Sequence, residues 1–234
     1  MTATDIDTAA VDHALMTTRA VRKRLDLDRP VEPEVILDCL RVATQAPTGS
    51  NLQTWRWIVV TDQAKRAALA DLYARAIGPY LDVMENAFGN NPGSRPVIDS
   101  ARHLVEILPR VPVLVVPCEL GSFEDQRSFL RDAGYPIPIS DNQAASGFYG
   151  SIWPAVWSFQ VAARARGLGT ALTTMHLGLE KDAGELLGIP ETVSQIGLVP
   201  VAYYTGDTFK PASRRPAEEI TYWNGWKEPW NPSA

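Results

Sequence analysis

Cysteine and histidine are scarce: Cys39 and Cys118, with His13, His103 and His176, are all that 234 residues contain. Both cysteines sit inside apolar runs, which points to buried free thiols in a reducing compartment and argues against a disulfide or redox pair. The three histidines are scattered, so no metal-ligand spacing exists. A net charge of −5 gives no reason to expect nucleic acid or an anionic membrane as partner. No apolar run approaches the ~18 residues of a membrane span, and the first residues lack the charged-then-apolar order of a signal peptide. A cytoplasmic protein is expected. There is no internal repeat, no Gly/Ser linker, no Ser/His/Asp set and no pair of carboxylates spaced for acid–base work. One domain over 1–234 is the simplest organisation.

The patterning that is present suits an α+β fold. Residues 8–18 can form a short amphipathic helix. Glu32–Ala46 is a firmer one, with Pro33 suited to its first turn, Ile36, Cys39, Leu40 and Ala43 on one face, and Pro47 beyond its end. "WRWIVVT" (Trp55–Thr61) reads as a strand, and Asp62 caps a helix to about Ala76. Residues 78–109 give no firm assignment beyond a loop at "FGNNPGSRP". "VPVLVVPC" (Val111–Cys118) is a buried strand, and "RDAGYPIPISDN" (Arg131–Asn142) reads as a loop. "FYGSIWPAVWSFQVAARAR" (Phe148–Arg166) is apolar on nearly every face, so it belongs at a domain centre or a subunit interface. Gly167 can supply its left-handed cap. "LEKDAGELLGIP" is a surface helix and "SQIGLVPVAYYTG" a strand. The last segment carries Trp223, Trp226 and Trp230, too aromatic for a free tail.

Three polar clusters interrupt this pattern. "TTRAVRKRLD" (Thr17–Asp26) is either a solvated charge run or a phosphate site, with "KPASRRP" (Lys210–Pro216) as a second source of arginine. "QAPTGSNLQTW" (Gln45–Trp55) places Thr48, Gly49, Ser50, Asn51 and Gln53 at one helix-to-strand joint, more polarity than a turn needs. "RGLGTALTTMH" (Arg166–His176) offers glycines for close backbone approach and the hydroxyls of Thr170, Thr173 and Thr174. It follows a helix, so it is not a dinucleotide fingerprint.

In this order the clusters resemble the nitroreductase family of FMN-dependent reductases. The matches are Arg19–Arg22 "RAVR", Ala46–Trp55 "APTGSNLQTW", Gly167–Gly169 "GLG" and Arg214–Pro216 "RRP". Leu172–Thr174 "LTT" is similar to the iodotyrosine deiodinase branch. The departures are Ala20 for a common Ser, Thr54 for the usual Pro before Trp55, and Trp157 and Ser158 where Gln and Asn are frequent.

The resemblance implies a mixed, mostly antiparallel sheet wrapped by helices, with 17–220 as core. It implies a homodimer with two FMN sites at its interface, and the tail 221–234 suits an arm swapped onto the partner. The cofactor-binding residues it implies are Arg19, Ala20, Arg22, Pro47, Thr48, Gly49, Ser50, Asn51, Gln53, Gly169, Leu172, Thr173, Thr174 and Arg214. Thr174 would neighbour the flavin N5, and His176 is either a structural residue or a proton donor. The implied activity is NAD(P)H-dependent reduction of a small aromatic acceptor such as a nitroaromatic or quinone, by alternation in one shared pocket. The loops 86–96 and 131–142, with Tyr135, would form that pocket's outer wall. Reductive dehalogenation, flavin destruction and flavin binding without turnover are the alternatives.

Overall fold

The structure, a computed structural model, describes residues 6–230. The chain divides into two compact units: Thr18–Asp207, and a terminal unit joining the segment up to Thr17 with the segment from Thr208.

The larger unit is built on five strands. β1 (Trp55–Val60), β2 (Val113–Leu120), β5 (Val199–Tyr203) and β3 (Leu168–Thr170) lie side by side in that order, and β4 (Val193–Gln195) pairs with the far end of β2. Every strand pair is antiparallel, while isolated bridges such as Ala20–Thr170 run parallel, so the sheet is mixed and mostly antiparallel as expected. β2 is buried on both faces along almost its whole length, which explains its unbroken apolar run.

"SQIGLVPVAYYTG" is two strands instead of one. β5 pairs with Val113–Val115 and β4 with Cys118–Leu120, and the break falls opposite Pro117. Proline has no N–H to give a ladder, and on this side the Ile196 amide donates to its carbonyl at 2.9 Å.

On one face, α2 (Pro33–Ala43) packs against α6 (Asp141–Ala165). Their inner residues Ile36, Cys39, Phe148, Ile152, Val156 and Phe159 meet Trp55, Val113, Val115 and Val201 from the sheet. α6 starts seven residues before Phe148, because Ser140 accepts a hydrogen bond from the Gln143 amide and caps it. Gly167 takes φ +77° behind it, as a left-handed cap requires. α6 is not buried all round, since Trp157 is 43% exposed and Tyr149 37%. α5 (Phe123–Asp132), with a complete Ser122/Asp125 capping box, lies beside it and takes the first two residues of the expected 131–142 loop.

α3 runs from Gln63 to Phe88, twelve residues past the expected end. Gly78 and Pro79 read as a stop, but Ile77 and Leu81 are each only 3% exposed, and their burial outweighs one missing backbone bond. α4 (Arg95–Ile107) then buries Ile98, Leu104 and Ile107, so most of 78–109 is helix. α7 (Glu180–Leu187) closes this face against α3. Among the described residues, no helix is long and apolar enough to cross a membrane.

The terminal unit contains α1 (Thr8–Thr17) and α8 (Ala217–Ile220). Beyond α8 the chain folds on itself: Trp223 donates its amide to Glu228, Tyr222 stacks edge-on to Trp226, and Trp223 sits 4.4 Å from Trp230. The last four residues of the expected arm lie outside the described residues.

Candidate active site

The joint before β1 is held in an unusual backbone. Ser50, Asn51 and Gln53 all have φ near +50°, a left-handed conformation that costs non-glycine residues energy unless the surroundings impose it. Its anchors are specific. The Gly49 amide donates to Ser151 Oγ at 3.1 Å, the Gln53 amide to Thr48 Oγ1 at 3.3 Å, and Trp55 Nε1 to the Ser151 carbonyl at 2.8 Å. Gln53 Nε2 donates to Asn51 Oδ1 at 3.0 Å, which leaves the Asn51 amide as donor and the Gln53 carbonyl as acceptor. Pro47, Gly49, Ser50, Asn51 and Gln53 are exposed and Thr48 is half-buried. The loop therefore presents polar groups outward on a frame fixed to α6.

The basic arm lies at the other edge of the sheet. Ala20 bridges Thr170, and the Val21 amide donates to the Thr170 carbonyl at 2.8 Å. This contact explains Gly169, because a Cβ there would lie 2.9 Å from both Val21 Cγ1 and Leu25 Cδ2. The space that a Cβ would take at Gly169 is filled by the arm. Arg19 and Ala20 are exposed, whereas Arg22 turns inward with NH1 3.4 Å from Ser100 Oγ. Tyr73, almost fully buried, hydrogen-bonds the Thr173 side chain near that guanidinium. Leu172 and Thr173 are half-buried, with Thr173 and Leu198 exchanging backbone hydrogen bonds, and Thr174 is exposed just before a 3-10 turn.

The two halves do not meet. Trp55 pairs with Glu119, while Thr170 pairs with Val201 and Val201 with Val113. Three strand spacings and the stretch of β2 from Val113 to Glu119 separate them, about 25 Å at ordinary sheet dimensions. Arg214 belongs to the terminal unit, exposed, with NH1 on the Ser213 carbonyl.

His176 is fully buried, and burial pushes its pKa down to about 4 against an opposing pull from Gln195. The Gln195 side chain is the polar group beside the ring, at less than good hydrogen-bond geometry, and this setting suits a neutral core histidine better than a proton donor. Burial raises Cys39 to about 11 and Cys118 to about 12, so both thiols are inert, as their apolar setting predicts. Sequence patterning passes over Ser151, Ser100, Tyr73 and Glu119. Glu119 alone carries a signal, as a carboxylate ending the apolar run "VLVVPCE".

The model of the Nitroreductase family matches residues 15–203. The chain belongs to that family. Membership makes it a flavoprotein oxidoreductase, in line with its motifs. Among relatives, this nitroreductase-family chain is similar to an iodotyrosine deiodinase of Thermotoga neapolitana, 24% identical over 189 residues that span 81% of this chain and 86% of the relative. Among solved structures, a BluB-like flavoprotein from Clostridium difficile 630 superposes with a TM-score of 0.65 at 18% identity, covering 92% of this chain and 99% of that one. An iodotyrosine deiodinase bound to FMN and 3-iodo-L-tyrosine gives 0.64 at 21% identity, covering 89% and 96%. These likenesses extend across the region between Gly78 and Gly147 that carries no motif.

Proposed function

We propose that this protein is an FMN-dependent NAD(P)H oxidoreductase that reduces electron-poor aromatic acceptors and works as a homodimer. The observation that carries the reading is the strained loop. Ser50, Asn51 and Gln53 stand in a costly backbone, exposed, with amide donor and acceptor groups turned outward. Such strain is held in place by the surrounding structure and clusters at ligand-binding sites. A donor and an acceptor side by side suit the carbonyl and imide edge of a flavin ring.

Arg19 and Arg214 would hold the phosphate as charged, forked donors, with the Ala20 and Pro47–Thr48 backbone beside the ligand. Thr174 would hydrogen-bond the ring near N5, on a turn steadied through Thr173 by Tyr73. Arg22 and Gly169 would act indirectly, by seating the arm against β3. When bound, FMN supplies two-electron transfer between a nicotinamide and an acceptor.

The separation of arm and loop, about 25 Å at ordinary sheet dimensions, favours two chains over one. A single copy offers the arm at one corner of the sheet and the loop at the other, with a packed core between. A second copy can bring its loop to the first copy's arm. The exposed Trp157 on α6 and the exposed aromatics of the tail are surfaces suited to that association.

Initial-rate kinetics test the reaction. With reductant and acceptor sharing one pocket, double-reciprocal plots should be parallel, and excess acceptor should compete with NAD(P)H. Intersecting lines would require a separate nicotinamide site. The deiodinase relative spans most of the chain, which favours reductive dehalogenation as the second reading. Iodide release from 3-iodo-L-tyrosine under reducing conditions would establish it, and its absence alongside quinone turnover would remove it.

A further inference from the structure

A cleft of about 270 Å³ lies behind the strained loop, between the start of β1 and helices α5 and α6. Its rim is Gly49, Ser50 and Leu52; its apolar walls are Leu120, Phe129 and Phe148. Thr54 and Glu119 line it from the sheet, and Gln126 and Ser151 from the helices. Thr54 stands where the resemblance leads one to expect proline. A proline there has no hydroxyl, so the pair that Thr54 makes with Glu119 is a feature of this chain.

Glu119 is 2% exposed, and only one of its carboxyl oxygens is used. Oε1 accepts a hydrogen bond from the Thr54 hydroxyl, while Oε2 is buried without a partner. The Thr54 hydrogen bond and then the charge of Arg56 draw the carboxyl down, though Arg56 NH1 itself donates to the Trp55 carbonyl at 2.6 Å. Desolvation wins and pushes the Glu119 pKa upward. The buried Gln126 Oε1 is a second acceptor without a donor. Two other polar side chains of the cleft are engaged locally. Asp125 Oδ2 accepts from the Ser122 amide and hydroxyl, and Ser151 Oγ donates to the Gly147 carbonyl.

The cleft thus holds two buried acceptors, one of them an acid, inside an apolar wall. A water molecule can donate to both acceptors but brings no charge; a group with several N–H donors and a positive charge donates to both and also neutralises the acid. We propose that this cleft binds a small organic cation, a protonated primary amine or amidinium, through Glu119 and Gln126. The bound molecule enters past the rim that the flavin reading assigns to the ring edge, so the cleft acts as the anchoring end for the acceptor's charged substituent. That role rests on the flavin reading; the cation site itself does not.

Calorimetric titration of the purified full-length protein with benzylamine, and with benzyl alcohol as its neutral counterpart, tests the site. Benzylamine should bind at least tenfold more tightly than the alcohol. Glu119→Gln, which keeps the Thr54 hydrogen bond, should remove that preference, and Gln126→Leu should weaken the amine several-fold. In FMN-loaded enzyme, 4-nitrobenzylamine should exceed 4-nitrobenzyl alcohol in kcat/KM by a similar factor, again through Glu119. Amine binding in a protein that takes up no FMN would uphold the cation site and defeat the redox reading. Equal binding of amine and alcohol by the wild type, or an undiminished preference in Glu119→Gln, would overturn the proposal.

Discussion

Arg19 and Arg214 carry the heaviest demand of any side chains, since each is to give a charge-assisted contact to the same phosphate. Such a contact contributes roughly 1.5–3 kcal/mol, so Arg19→Ala and Arg214→Ala should each weaken FMN binding about ten- to a hundredfold. Unchanged affinity in both variants would withdraw the phosphate assignment. His176 makes a prediction about stability. Its folded pKa of about 4 lies below the ordinary 6.5, so between these values the unfolded chain takes up a proton that the folded chain refuses. Its stabilising contribution is full above pH 6.5 and is lost as pH falls toward 4, by about 3 kcal/mol in all. In urea unfolding at a series of pH values, His176→Gln should show an acid-side loss smaller by that amount; an identical pH profile would mean that His176 is not buried neutral. The two inert cysteines were legible from their apolar neighbours. The partnerless oxygen of Glu119 was not, because nothing local says which helices will close over a strand end.

At the scale of elements, the joint before β1 was legible as unusual from its density of amides and hydroxyls. Its left-handed backbone was not, because the anchors that impose it come from Ser151 on α6. Asn51→Gly offers a way to separate strain from recognition. Glycine adopts this backbone freely, so thermal stability should hold or rise while FMN affinity falls. A loss of stability with FMN affinity intact would show that the Asn51 side chain serves the fold. The misjudged boundaries share a cause. Gly78–Pro79 looks like a helix end until Ile77 and Leu81 are seen buried, and the β4–β5 break is set by Pro117 on a neighbouring strand. Tertiary burial and pairing override local punctuation in both cases.

For the whole molecule, fold class was legible from element order, and the sheet's mixed, mostly antiparallel character follows the family resemblance. The corner-to-corner separation of arm and loop was not legible, since it depends on strand order. The tail gives the test at this scale. Trp226 is 81% exposed and Trp230 61%, a surface that an isolated chain leaves in water. Deleting residues 221–234 should lower the melting temperature and shift the protein toward monomer in sedimentation. A truncated protein that remains dimeric, flavin-loaded and equally stable would refute the swapped arm.

In the proposed reaction, reductant and acceptor meet one bound flavin in turn. Anaerobic mixing of the FMN-loaded protein with NADH or NADPH, followed by a quinone or nitroaromatic, addresses it most directly. The visible flavin absorbance should bleach with one equivalent of nicotinamide and return on addition of the acceptor alone. Flavin that stays oxidised in the presence of both nicotinamides would contradict the account and leave a flavin-binding protein without NAD(P)H turnover.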